Sequence, residues 1–348
     1  NVGRLERLGD AEHLVRHGHL EIHVRAHHAH DLGQIVVLDV TAVLTKMQGD
    51  AVGPGMFRHD GGLDRPRIAG PAHLAQQASQ RALAAAGLEP ADIDFIVLAT
   101  LSGHADFPGT SFFLHELLGV PEIPCFDLRA QCSGFVYALS VAKSMIEAGQ
   151  YRRVLVVGCE VHSTGIDLTD EGRDVAVLFG DGAGAVVLET NEDASDTAGL
   201  IEVRLHAEGR YARKLWIEAP GSCFTPVRIT HEMLDERRHF PRMEGRFVFK
   251  HAVTRMPEVL HEALEAAGVK FGDVGWFLFH QANLRINEYV ADQLGIPKEK
   301  TYGNIHKFGN CSAASIPMLL AELADEGDYG LTKRGLVMLC ESQAALDA

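Results

Sequence analysis

Ala82-Leu-Ala-Ala-Ala-Gly87-Leu-Glu-Pro-Ala-Asp92-Ile-Asp-Phe-Ile-Val97 returns 181 residues later as Ala263-Leu-Glu-Ala-Ala-Gly268-Val-Lys-Phe-Gly-Asp273-Val-Gly-Trp-Phe-Leu278. The offset is about half of the 348-residue chain, the signature of a duplicated unit. Each copy reads as a helix, a glycine that closes it, a short turn and a buried strand. Some thirty residues after each strand comes a second helix start built from small residues. In the first half it is Cys132-Ser-Gly, in the second Asn310-Cys-Ser-Ala-Ala-Ser315. Cys132 and Asn310 therefore occupy nearly equivalent points of two homologous halves. Halves that pair about a pseudo-two-fold axis would bring both to one site.

Working outward, short apolar runs predict buried strands at Phe95–Ala99, Val154–Gly158, Ala185–Leu188, Trp276–Phe279 and Leu336–Leu339, covered on both faces. Helical periodicity predicts helices at Ala72–Ala86, Ser133–Ala148, Phe249–Ala267, Leu284–Leu294 and Ala313–Glu326. The alternation implies an α/β fold. The acidic stretch Asn191–Thr197 is the expected connection, giving one half at 67–195 with Cys132 and another at 196–348 with His280 and Asn310. Phe179-Gly-Asp-Gly-Ala-Gly184 has the glycines of a phosphate loop, but a strand follows where the phosphate-binding helix should start. It reads as a tight turn with close backbone packing.

Residues 1–66 stand apart as a divergent segment, in which Ile35–Leu44 is the one candidate strand. His13, His17, His19, His23, His27, His28 and His30 crowd one stretch, and His19, His23 and His27 share a helical spacing that could ligate a metal. No carboxylate or cysteine cluster completes such a site, so no metal is expected.

Composition narrows the function. Apolar residues make up 46% and charged residues 23%, as in ordinary soluble proteins. A net charge of -15 argues against nucleic-acid binding. The six cysteines form no C-x-x-C pair, which disfavours a zinc site or a disulfide framework and points to a reducing compartment. No apolar run approaches the roughly 20 residues of a membrane span, and no signal-peptide layout opens the chain. The cytoplasm is the expected location.

Three residues carry the chemistry. Cys132, in Phe126-Asp-Leu-Arg-Ala-Gln-Cys-Ser-Gly-Phe135, precedes a strong helix pattern, and the positive end of a helix dipole favours the nucleophilic thiolate. Gly134 is expected to let a substrate approach closely. Cys125 and Cys159 read as inert core thiols. His280 ends a buried strand and opens His280-Gln-Ala-Asn283-Leu-Arg-Ile286. Asn283 and Asn310 offer carboxamides, and an imidazole N–H with a carboxamide N–H can hold a developing enolate oxygen. A hydrolase triad also uses a thiol and an imidazole, but its third member orients the imidazole rather than facing the substrate.

The segments Asp127–Leu139, Thr169–Leu188, Phe249–Ala252, His280–Ile286 and Gly309–Pro317 resemble β-ketoacyl-acyl carrier protein synthase III, of the thiolase superfamily, with a match running from Arg67 to Leu339. The resemblance implies the thiolase fold, a duplicated five-layer αβαβα arrangement, and a homodimer. It implies that an acyl-CoA acylates Cys132 and that malonyl-carrier protein is then decarboxylated with help from His280 and Asn310. CoA enters as a thioester substrate, with no permanently bound cofactor. By the same resemblance Arg173 and Asn283 contact CoA, while Lys250 and Arg285 receive the acidic acyl carrier protein. Phe107, Phe112 and Phe113, within Leu101–Leu118, are expected at the acyl pocket or the dimer surface.

Two features depart from the family. No Trp precedes Trp216, and Leu339-Cys-Glu-Ser-Gln-Ala-Ala-Leu-Asp-Ala348 replaces a glycine-rich loop that supplies an oxyanion donor. Loss of such a donor costs roughly 3 to 4 kcal/mol, so lowered activity is expected. Transfer of the acyl group to an alcohol or amine, or a non-catalytic partner role, are the alternatives. A degradative thiolase would need a glycine-set second cysteine, and no glycine follows Cys340.

Overall fold

The computed structural model describes residues 35–38, 70–191, 199–325 and 336–340. The histidine-rich stretch, positions 39–44 of the expected strand, 192–197 of the expected connection, Glu326 and the tail 341–348 lie outside the described residues.

Strand β1 (Ile35–Leu38) comes first. Helix α1 (Pro71–Ala86), strand β2 (Phe95–Ala99), helix α2 (Thr110–Leu118) and strand β3 (Cys125–Leu128) follow. Helix α3 (Gly134–Glu147), strand β4 (Arg153–Glu160), the short helix α4 (Arg173–Ala176) and strand β5 (Gly182–Thr190) complete the first half. A connecting region holds β6 (Leu215–Trp216), α5 (His231–Asp235) and β7 (Arg242–Met243). The second half contains α6 (Gly245–Ala267), β8 (Val274–Phe279), α7 (Leu284–Leu294), α8 (Ile305–Phe308), α9 (Ser315–Asp325) and β9 (Leu336–Cys340).

The repeat folds alike in both copies. Helices α1 and α6 end on Gly87 and Gly268, each at φ 66°. Beyond each glycine the next N–H reaches back to a helix carbonyl, Leu88 to Leu83 at 2.9 Å and Val269 to Leu264 at 3.0 Å. A 3₁₀ turn then leads into the strand, Pro90–Asp92 before β2 and Phe271–Asp273 before β8.

Among the described residues, five strands form one sheet in the order β1-β5-β4-β2-β3. β2 runs parallel to β3 and β4, while β5 is antiparallel to β4 and β1. Alternation along the strands separates its faces. Ile96, Leu98, Leu155, Val157, Ala185 and Val187 pack against α1 and α2. Phe95, Val97, Val154, Val156, Val186 and Leu188 face the opposite way, towards Phe135 and Leu139 of α3 and Ile316, Leu319 and Leu323 of α9. Parallel strands β8 and β9 form a second sheet. Leu278 of β8 joins the α3–α9 core, while Phe277 and Phe279 join α6 and α7. The layers are thus α1–α2, the first sheet, α3–α9, the second sheet and α6–α7, the αβαβα order expected.

Strand β3 has no counterpart in the expected elements, and α2 falls within the stretch Leu101–Leu118, expected only as mixed helix and loop. Cys-Phe-Asp-Leu is short and broken by Asp127, and α2 lacks a local cap. The cap comes from that same Asp127, whose carboxylate accepts the N–H groups of Thr110 at 2.6 Å and Ser111 at 2.7 Å. A cap supplied by a strand later in the chain leaves no local signal. Strand β5 begins at Gly182, three residues before the expected Ala185, because Gly182–Gly184 already pair with β4.

Candidate functional site

Helices α3 and α9 start slightly inside their expected bounds because a 3₁₀ turn precedes each, Gln131–Ser133 and Ser312–Ala314. The offset of 181 that links the repeats also links Gln131 to Ser312. Their φ values are 44° and 43°, left-handed conformations unusual for residues with a Cβ. Cys132 corresponds to Ala313, so Asn310 stands three residues before its strict equivalent.

The turns pack against each other. A Cβ on Gly134 would lie 3.1 Å from the Cβ of Ala99 and 3.3 Å from that of Ala313. The missing side chain of Gly134 makes room for the second half's turn. Cys132 lies at this junction, 1% exposed and outside any disulfide. Cys159 fits its core reading, buried with its thiol pKa raised by that burial, whereas Cys125 is only partly buried against the core, with its pKa raised by the same cause.

Asn310 is held by backbone and side chain. Its N–H donates to Leu178 O at 2.8 Å, and its carbonyl accepts Gly180 N–H at 2.9 Å. A Cβ on Gly180 would strike the Phe308 carbonyl, which is the close packing expected of the glycine turn. The Oδ1 of Asn310 accepts Ser312 N–H at 2.8 Å, which turns the amide NH₂ the other way.

His280 follows β8 and is 5% exposed. Its Nδ1 lies 2.5 Å from the hydroxyl of Ser315, the first residue of α9. Burial lowers its pKa to about 3, so the ring is neutral near pH 7. Gln281 braces this loop, donating to Phe279 O at 2.8 Å and accepting the N–H groups of Asn304 and Ile305 at 3.0 and 3.1 Å. Cys132 lies in the first turn, Asn310 two residues before the second, and His280 is hydrogen-bonded to Ser315 just after it.

The other expected residues lie elsewhere. Arg173 is exposed at the start of α4. Asn283 caps α7, its Oδ1 accepting Arg285 N–H at 3.0 Å. Lys250 and Arg285 are exposed near the starts of α6 and α7, which pack together. Among the described residues no cluster of three potential metal ligands occurs.

Sequence reasoning assigned no role to Ser315, Ser312, His162 or Glu160. The two serines were visible in the Asn310–Ser315 run, but their partners are distant in sequence. The Nε2 of His162 lies 2.9 Å from Ser312 Oγ, across 150 residues. Glu160 is fully buried, and burial raises its pKa to about 7. It accepts from Thr100 Oγ1 at 3.2 Å, Leu101 N–H at 3.1 Å, Ser102 N–H at 3.1 Å and Ser102 Oγ at 2.5 Å.

Comparison with known proteins gives a consistent likeness. Residues 126–209 match the 3-oxoacyl-[acyl-carrier-protein] synthase III family, and residues 264–342 match its C-terminal part. A β-ketoacyl-[acyl-carrier-protein] synthase III of Sphingopyxis alaskensis is 42% identical over 271 residues, covering 78% of this chain and 79% of that protein. The crystal structure of the 3-oxoacyl-[acyl-carrier-protein] synthase III of Aquifex aeolicus is similar with TM-score 0.67 and 41% identity, covering 77% and 79% of the two chains. A priming β-ketosynthase of a polyketide pathway is similar with TM-score 0.64 and 34% identity, covering 74% and 73%.

Proposed function

The chain belongs to the 3-oxoacyl-[acyl-carrier-protein] synthase III family, and from that premise we propose that it performs the initiating condensation of fatty-acid synthesis at the paired turns. The observation that supports this reading is the meeting of the two repeated turns, one carrying Cys132 and the other flanked by Asn310 and by Ser315, the partner of His280.

In the first stage the Cys132 thiolate attacks the carbonyl of an acyl-CoA. The carbon–sulfur bond to CoA breaks, CoA leaves as its thiolate and takes up the proton that Cys132 released, and the acyl group stays on Cys132. The position before α3 favours the anionic nucleophile. In the second stage malonyl-carrier protein loses CO₂, and the electron pair of the broken bond becomes an enolate. Asn310 donates its NH₂ to the enolate oxygen, because Ser312 already occupies its Oδ1. Gln281 N–H points at Ser315 Oγ at 3.4 Å, directing the serine hydroxyl proton to His280 Nδ1. The ring proton then sits on Nε2, and a neutral His280 donates to the same oxygen. The enolate carbon attacks the Cys132 thioester, and the thiolate leaves.

Around this centre Arg173 and Asn283 serve CoA. Lys250 and Arg285, on the packed helices α6 and α7, serve the acidic carrier protein, whose docking a chain of net charge -15 must confine to a local basic patch. Phe107, 83% exposed, and Phe112, 54% exposed, form part of the homodimer surface. The cytoplasm is the proposed location; among the described residues no helix is long and apolar enough to cross a membrane.

The test is intact mass after brief incubation with acyl-CoAs from acetyl to decanoyl, followed by malonyl-carrier protein. A mass gain mapped to Cys132, then CO₂ and a 3-ketoacyl product, is expected. No gain from any donor would leave a non-catalytic partner. Acyl transfer to an alcohol or amine without CO₂ release would make it a different acyltransferase.

A further inference from the structure

We propose that His162 is a positioning residue for Asn310, acting through Ser312, and that it sets the rate of decarboxylative condensation without setting the rate of acyl capture. The inference rests on the reading of Asn310 as an enolate-binding amide.

His162 lies just beyond β4 and is 8% exposed. Its N–H donates to Asp181 Oδ1 at 2.7 Å. The preceding Val161 N–H donates to Ser102 Oγ at 2.8 Å, and Ser102 is held by the buried Glu160. The backbone that carries the imidazole is therefore fixed from two directions.

The ring meets both supports of Asn310. It lies against Phe179 with centroids 4.8 Å apart, and Phe179 pairs with Asn310 backbone to backbone. Its Nε2 meets Ser312 Oγ at 2.9 Å, and Ser312 N–H holds Asn310 Oδ1 at 2.8 Å. The path from imidazole to amide thus runs through a single residue. Ser312 is 0% exposed and sits at φ 43°, a conformation that persists only where the surroundings impose it. An apolar residue at 162 would leave a buried hydroxyl without this partner. The turn could then relax and rotate the Asn310 amide. Burial keeps His162 neutral, its pKa lowered to about 4, so the contact does not change across neutral pH. Acyl capture belongs to the other turn, while the His162 contacts described above fall on Asp181, Phe179 and Ser312.

The experiment compares His162→Leu, Ser312→Ala, the double variant, His162→Gln and Asn310→Ala. Cys132 acylation is read by mass, and CO₂ release from malonyl-carrier protein by rate. His162→Leu and Ser312→Ala should each slow CO₂ release on the order of tenfold, the effect of one lost neutral hydrogen bond, with acylation rates kept. The double variant should be no slower than either single one, because both remove the same contact. His162→Gln, which can return an amide nitrogen to Ser312, should recover most of the rate.

Full CO₂ release in His162→Leu, additive losses in the double variant, or equal loss of acylation and condensation would each overturn the proposal. Should His162→Leu fail to fold, Ser312→Ala decides, and an unchanged rate there is equally fatal. Asn310→Ala separates the two levels. If it decarboxylates normally, the reading of Asn310 is wrong. If it does not, while the His162 and Ser312 variants are normal, only the positioning role is lost.

Discussion

The turns Gln131–Ser133 and Ser312–Ala314 share a backbone and, in the proposed mechanism, divide the chemistry. Each opens on a left-handed residue, at φ 44° and 43°, and each launches a helix of the central layer. The first carries a thiol inside the turn, at Cys132. The second has Ala313 there and carries its polar groups at its edges, as Asn310 before it and Ser315, partner of His280, after it. Ala313 and Gly134 are small because the halves touch at that point. Duplication thus supplied a paired scaffold, and contact between the copies excluded a second bulky group from the centre.

The sharpest test of this division separates nucleophile from amide. Cys132→Ala should abolish acyl capture, with condensation falling on the order of 10⁴-fold or more, as for other lost nucleophiles. Acyl-enzyme persisting in that variant would end the assignment. His280→Ala and Asn310→Ala should retain capture and lose roughly 10²- to 10³-fold in condensation, the usual effect of removing one donor to an oxyanion. If either blocked capture as fully as the cysteine change, the turns would act as one unit and the division would be wrong.

Much of this arrangement was legible in the sequence, for physical reasons. The helix–glycine–strand repeat is local, and Gly87 and Gly268 mark its ends. Cys132, His280 and Asn310 stand out by their combination and the motifs that flank them, since none is diagnostic from its position alone. What stayed hidden is held by distant partners. Helix α2 has its cap in β3, His162 reaches Ser312 across 150 residues, and the layer contact at Gly134 exists only once the halves close.

Acid should expose a second difference. His280 and His162, both placed against the second turn, have pKa values lowered by burial from 6.5 to about 3 and about 4. Between pH 6.5 and 4.5 the unfolded chain therefore binds these protons and the folded chain does not, so each histidine removes stability as pH falls. Glu160 opposes them. Burial raises its pKa from 4.5 to about 7, so the folded state takes its proton first and gains stability as pH falls through that window. Two histidines against one carboxyl leave a net slope of about 1.4 kcal/mol per pH unit. His280→Asn should flatten that slope by up to the same amount, read from urea midpoints between pH 6.5 and 4.5. A parallel curve would mean that His280 titrates normally and is not the neutral donor described.

The smallest expected effect asks whether the two turns are strained alike. A Cβ-bearing residue in the left-handed region costs on the order of 1 kcal/mol. Replacing it by glycine relieves that cost but adds about 0.5 to 1 kcal/mol of chain entropy to the unfolded state. The backbone terms therefore nearly cancel at both positions, and the side chains decide. Gln131→Gly should leave stability within about 0.5 kcal/mol of the parent. Ser312→Gly also forfeits the hydrogen bond to His162, and should lose about 1 kcal/mol more. Urea denaturation at pH 7 resolves that difference. Equal shifts would mean that the hydroxyl does not hold the second turn.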